Sequence, residues 1–173
     1  MEGWTEEEIR KKELMAPCGL YCGVCGVYIA TRDNNEKFKA ALGGLYGTDP
    51  RETECLGCMQ KEPAGKLYKY CTACPIRECV QSKGYYSCHQ CADWPCQRID
   101  SFSLATGRRV MKRAIPLWRA HVAEHGDEQG SVEWARGECE RYHCSSCGTP
   151  LFRGAQTCRV CRKSVAEELD GSL

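Results

Sequence analysis

Cys144-Ser-Ser-Cys147-Gly148-Thr-Pro-Leu-Phe-Arg-Gly-Ala-Gln-Thr-Cys158-Arg-Val-Cys161 sets two CxxC pairs ten residues apart. That spacing brings four thiolates around one ion at about 2.3 Å, the closed tetrahedral geometry of structural zinc. Gly148 suits the turn that aims backbone amides at sulfur, and Leu151-Phe152-Arg153-Gly154 predicts a short hairpin between the pairs. Protein fills every coordination position, so the segment reads as a zinc ribbon. Mononuclear iron in a rubredoxin-like site is the alternative.

The rest of the chain explains why such a staple is needed. Of 173 residues only 27 are Leu, Ile, Val or Phe, about 16%. A chain below roughly 20% struggles to bury enough surface to offset its ordering entropy. Here 16 cysteines stand in for the missing apolar residues, so cross-links are expected to replace part of the core. The polar, acidic start from Met1 to Arg10 has no apolar run after a basic one, and no stretch approaches a membrane span. With most cysteines in CxxC pairs, metal thiolates in a cytoplasmic protein are the expectation, not secreted disulfides. The formal charge of +1 also hides thiolates. Each four-thiolate zinc site carries about −2, which weakens any field that would attract nucleic acid.

Along the chain, Thr5 and Glu8 form a capping box that predicts a helix from Thr5 to Met15, with Trp4 and Ile9 at the staple positions. A helical segment from Val24 to Leu45 breaks near Asp33-Asn34-Asn35 and sets Phe38, Leu42 and Leu45 on one face. From Cys55 to Cys96 periodicity is lost. Cys71-x2-Cys74-x4-Cys79 nevertheless echoes Cys88-x2-Cys91-x4-Cys96 at an offset of 17 residues. Between Ile99 and Tyr142, Met111, Ile115, Trp118 and Val122 fall on one helical stripe. Pro116 inside it implies a kink or a restart. A second helix over Val132–Tyr142 follows a loop at Gly126–Gly130, and Glu167–Leu173 reads as a frayed tail.

Eleven cysteines precede residue 100. Cys18-x3-Cys22-x2-Cys25 has the spacing that holds a 4Fe-4S cluster in radical enzymes, but the chain lacks the length and the βα pattern of their barrel. Cys55, Cys58, Cys71, Cys74, Cys79, Cys88, Cys91 and Cys96 would fill two four-thiolate sites. The sequential grouping is 55/58/71/74 and 79/88/91/96, and interleaving with the first three is equally physical. Eleven ligands leave a remainder of three, which calls for a non-cysteine ligand, an open position or a multi-metal arrangement. His89 is a spare ligand candidate. His121 and His125, one turn apart, lack a carboxylate partner and read as packing or surface residues. Cys139 reads as a small half-buried residue. Arg108, Arg109, Lys112, Arg113 and Arg119 form a basic cluster that reads as a solvated face, with RNA as the weaker alternative. No Ser-His-Asp set, phosphate loop or dinucleotide fingerprint occurs.

Pro17-Cys18-Gly-Leu-Tyr-Cys22-Gly-Val-Cys25, Cys55-Leu-Gly-Cys58, Cys74-Pro-Ile-Arg-Glu-Cys79 and Cys88-His-Gln-Cys91-Ala-Asp-Trp-Pro-Cys96 together resemble the family catalogued as domain of unknown function 3795. Gly130-Ser-Val-Glu-Trp134 leading into Cys144 is similar to its ribbon-bearing subgroup. The resemblance implies metal binding and an intracellular location, and no activity. Cys71 is the member of the set least tied to that pattern. The expectation is a small metal-stapled protein, mainly α, with irregular metal knuckles, short β-hairpins and a C-terminal zinc ribbon. It divides into a cysteine-rich multi-metal domain at 1–98, a helical segment packed on it at 99–142, and the ribbon at 143–165. Three to four zinc ions and a binding or adaptor role toward a protein partner are expected. The alternative is an iron–sulfur cluster at the N-terminal three-cysteine site with a redox or catalytic role.

Overall fold

Glu8 donates its N–H to the Thr5 hydroxyl and returns a carboxylate oxygen to the Thr5 N–H, starting α1 (Glu6–Ile9) as the capping box requires. The computed structural model describes residues 3–60 and 66–171. α1 is shorter than predicted, because the chain tightens into a 3-10 turn at Lys12–Leu14 that buries Leu14 before Pro17. Trp4, expected over Ile9, donates its indole N–H to the Gly23 carbonyl at 2.6 Å and sets its ring edge-on to His143.

α2 (Gly26–Arg32) and α3 (Glu36–Tyr46) are the predicted helical segment, broken where the sequence breaks it. Asn34 adopts a left-handed φ of 46°, and the Asn35 side chain caps α3 by accepting from the Phe38 N–H. Leu42 is buried and Phe38 partly so, but Leu45 is 72% exposed. Its place in the predicted stripe is therefore wrong. Gly43 and Tyr46 take the inner side of that last turn, where Gly43 lies against the Thr48 carbonyl.

α4 (Lys69–Thr72), α5 (Pro75–Ser82) and α6 (Gln97–Asp100) are the short helices of the irregular cysteine-rich segment. α7 (Ala105–His125) then runs through Pro116 without a restart. Pro116 lies on the exposed face, so the carbonyl it leaves without a donor, that of Lys112, faces water. α8 (Asp127–Arg141) begins one residue later. The predicted five-residue loop is in fact Gly126 alone, at φ 79° and ψ 167°, a conformation essentially restricted to glycine. Gly130 is helical, and the antiparallel crossing depends on it. A Cβ there would fall 2.5 Å from the His121 carbonyl oxygen and the Val122 Cα.

That close crossing lets Trp118 of α7 and Trp134 of α8 stack at 3.8 Å with 5° between their planes. His89 stacks on the outer face of Trp118 at 4.6 Å, and Tyr21 meets Trp134 edge-on at 5.8 Å. The resulting aromatic column ties the two long helices to both cysteine-bearing segments. Trp118 donates its N–H to the Ser131 hydroxyl at 2.8 Å, which in turn donates to the Asp127 carbonyl.

Two expectations about the C-terminal end are corrected. Among the described residues there is no strand, so the short β-hairpins are not formed. Only the isolated antiparallel bridges His143–Pro150 and Thr157–Ser164 occur, each closing one CxxC loop. Loops this tight commit their amides to sulfur and to their own turn, leaving no ladder to extend. The tail is not frayed over Glu167–Asp170. It forms a 3-10 turn, and buried Asp170 accepts the Tyr142 hydroxyl at 2.7 Å. Ser172 and Leu173 lie outside the described residues.

Candidate metal centres

The two ribbon knuckles are built alike. Cys144 donates its N–H to the Thr149 carbonyl and accepts from the Gly148 N–H, each at 2.8 Å. Cys158 repeats this with Lys163 and Arg162, at 2.9 Å each. The residue after each second cysteine is left-handed: Gly148 at φ 67° and, unusually for a side-chain-bearing residue, Arg162 at φ 62°. That turn directs amides at sulfur, with the Thr149 N–H on Cys147, the Val160 and Cys161 N–H groups on Cys158, and the Lys163 N–H on Cys161. The Thr149 hydroxyl and N–H hold the Cys147 thiol down to about 6, and the amides of Cys161 and Val160 lower Cys158 as well. One thiol in each knuckle is thus held toward thiolate, whereas Cys161, despite the Lys163 N–H that lowers it, is pushed up to about 11 by burial and the neighbouring thiols.

Cys144 Sγ lies 3.6 Å from Cys161 Sγ, and Cys147 Sγ lies 3.6 Å from Cys158 Sγ. Among the described residues these four form the only set of three or more Cys, His, Asp or Glu ligand atoms mutually within 4.8 Å. Four sulfurs at about 2.3 Å from one ion stand about 3.8 Å apart, so the set fits a single tetrahedral ion.

The eleven N-terminal cysteines interleave. All are free thiols, with no disulfide among them. Cys22 accepts the Cys58 N–H at 3.3 Å and has Cys25, Cys55 and Cys71 as its thiol neighbours. The Cys71 thiol lies against those of both Cys55 and Cys58. Cys18 belongs elsewhere. It accepts the Leu20 N–H, burial pushes its thiol up to about 12, and its thiol neighbours are Cys74 and Cys88. The Cys88 N–H bonds to the Pro17 carbonyl at 2.8 Å, and the Ser87 hydroxyl bonds to the same oxygen. Thus Cys18 turns toward Cys74 and Cys88, while Cys58 neighbours both it and Cys22. Of the sequential group 55/58/71/74, Cys55, Cys58 and Cys71 lie beside Cys22, and Cys58 also neighbours Cys74. Cys79, Cys88, Cys91 and Cys96 line one cavity of about 520 Å³, with Lys83, Asp93 and Trp94 at its wall.

The remaining candidates find partners inside the protein. His89 is buried, with Nε2 at 2.9 Å from Asp127 Oδ1 and its ring on Trp118; desolvation lowers its pKa. His121 and His125 stack on each other at 6.2 Å with no carboxylate completing a set. Cys139 is fully buried, beside the Tyr21 hydroxyl, where burial pushes its thiol up to about 12. The basic cluster is dispersed. Arg108 bonds to the Phe102 carbonyl, Lys112 to Asp100, and Arg113 to the buried Glu138 through both nitrogens. Arg119 clamps the Cys88–Cys91 knuckle, donating to the His89 and Cys91 carbonyls at 2.8 and 2.6 Å with its guanidinium over Trp94.

Two residues were missed in the sequence. Arg153, between the ribbon knuckles, donates to the Tyr21 carbonyl at 3.1 Å and sits within electrostatic reach of Cys25, Cys22 and Cys18. Lys83 reaches 3.5 Å from Cys91 Sγ and 2.7 Å from Asp93. Neither has a motif to mark it, since their role depends on which thiols the fold places beside them.

The family described as protein of unknown function DUF3795 matches residues 14–101, just over half of the chain. The chain belongs to that family. The DUF3795 segment thus holds all eleven N-terminal cysteines, while α7, α8 and the four-cysteine cluster lie beyond it, as fits a ribbon-bearing subgroup. No curated protein and no solved structure matches the chain. No described helix is long and apolar enough to cross a membrane.

Proposed function

We propose that this DUF3795 protein is a zinc-stapled binding module that presents a metal-stabilised surface to a protein partner. The observation that carries the reading is the ribbon, where four thiols stand at single-ion spacing with amides directed at the sulfurs. All four positions of a tetrahedral ion are then protein, which leaves none for substrate and makes the site structural. Zinc is the ion best suited to a closed four-thiolate site, and it would supply folding free energy directly, on the order of 10 kcal/mol. The basic cluster favours protein over RNA, because Arg113 is neutralised by Glu138, Arg108 and Arg119 are tied to backbone carbonyls and Arg109 to the Thr106 hydroxyl.

Metal analysis with near-UV circular dichroism tests this. The purified protein should carry zinc, and Cys147→Ser should lower the count by one. Complete chelation should abolish the tertiary signal of the N-terminal hundred residues. Retained tertiary structure after full metal removal would refute the proposal.

A further inference from the structure

We propose that the cavity lined by Cys79, Cys88, Cys91 and Cys96 holds an iron–sulfur cluster of the 4Fe-4S type, distinct from the single ion of the ribbon. The contrast lies within one molecule. Ribbon thiols that share one ion are mutually within 4.8 Å, and no three of the cavity thiols are. Yet all four cysteines line one space of about 520 Å³. Four thiolates on a single tetrahedral ion stand about 3.8 Å apart, a spacing that no three of these thiols share. A cubane can span wider spacings, because iron and sulfide stand between any two of its thiolates and its corners set them well apart.

The walls are held in that open form by contacts that do not involve sulfur. Cys79 stands on α5, and Val80 beside it is buried in the main core. The Cys88–Cys91 turn is fixed from three directions, by Pro17, by the two Arg119 bonds and by His89 stacked on Trp118. Cys96 starts α6, whose Ile99 is fully buried. Lys83 places an ammonium 3.5 Å from Cys91 Sγ. A cation there suits a centre whose core and four thiolates sum to a net negative charge, and charge beside the sulfurs tunes a cluster's potential. Cys79, Cys91 and Cys96 are partly exposed, which gives the core an entry path.

The test is anaerobic purification of the full chain, followed by incubation with sulfide and equal amounts of ferrous and ferric iron, which together supply the 2+ core. Metal, acid-labile sulfide and visible absorption are then measured. The expected product is a brown protein with about four irons and four sulfides in this site. Cys91→Ser and Cys96→Ser should lose that iron and sulfide while keeping the ribbon zinc, which serves as the internal measure of folding. Lys83→Gln should keep the cluster and shift its reduction potential to more negative values. Two results overturn the proposal. One is a colourless protein in which Cys91→Ser or Cys96→Ser removes one zinc; the other is iron and sulfide that both variants retain in full. Because the ribbon's zinc is counted separately, failure here leaves the reading of the ribbon standing, and loss of ribbon zinc leaves this one to be judged on iron and sulfide.

Discussion

Glu8 shows how much one side chain near the N-terminus holds together. It completes the capping box, accepts the Tyr28 hydroxyl at 3.0 Å and pairs with Arg32 at 3.3 Å. Burial pushes its carboxyl up, but the Thr5 N–H, Arg32 and the Tyr28 hydroxyl together outweigh that and hold it below the usual value. A depressed carboxyl contributes stability above its unfolded pKa, and that contribution fades as pH falls through the folded value. Glu8→Ala should therefore cost about 1–2 kcal/mol at neutral pH, the worth of a cap and one buried hydrogen bond. The gap from the parent should narrow as pH drops through the carboxylate range, as read by denaturant titration at several pH values. Thr5 and Glu8 announce the cap in the sequence. Tyr28 and Arg32, twenty and twenty-four residues away, do not announce themselves as its partners.

At the scale of elements, the α7–α8 hairpin depends on two glycines with different duties. Gly126 supplies a backbone conformation, whereas Gly130 supplies room. Gly130→Ala would drive a methyl into the backbone of His121 and Val122, where no side chain can swing aside. Overpacking of that kind costs roughly 1–3 kcal/mol, even though alanine is the better helix former. A lower midpoint in denaturant is the expected result, and a stabilised protein would show that the helices separate easily. The stripe Met111, Ile115, Trp118 was readable by spacing, since helical period is a local property. The one-residue connection was not, because Gly126 and Gly130 read equally well as the ends of a loop. Only the partner helix shows that Gly130 lies at a crossing.

Across the whole molecule, the column His89–Trp118–Trp134–Tyr21 is the seam between the cysteine-rich half and the helical half. Trp118 is fully buried at its centre. Trp118→Ala should cost about 3–5 kcal/mol and loosen the Cys88–Cys91 turn that stacks against it through His89. Its signature would be a fall in thermal midpoint together with faster loss of metal to a chelator than the parent shows. Unchanged metal release would mean that the knuckle holds its shape without the helices. The ribbon is bound into the same assembly, through Phe152 on Phe38 at 5.1 Å and the Arg153 N–H on the Val24 carbonyl at 2.8 Å.

The sequence by itself determined the four-cysteine cluster of the ribbon, the family and the helical character of the chain. Each of these rests on a local signal: a spacing, a motif order or a period. Only the tertiary structure decided which of the first eleven cysteines lie beside one another. Cys22 lies with Cys25, Cys55, Cys58 and Cys71, Cys18 and Cys74 lie toward Cys88, and Cys79, Cys91 and Cys96 line one cavity with Cys88. A CxxC pair specifies that two thiols point the same way, and nothing in its spacing says toward which other pair. That is set by chain contacts such as Cys58 on Cys22 and Cys88 on Pro17, which exist only once distant segments have packed.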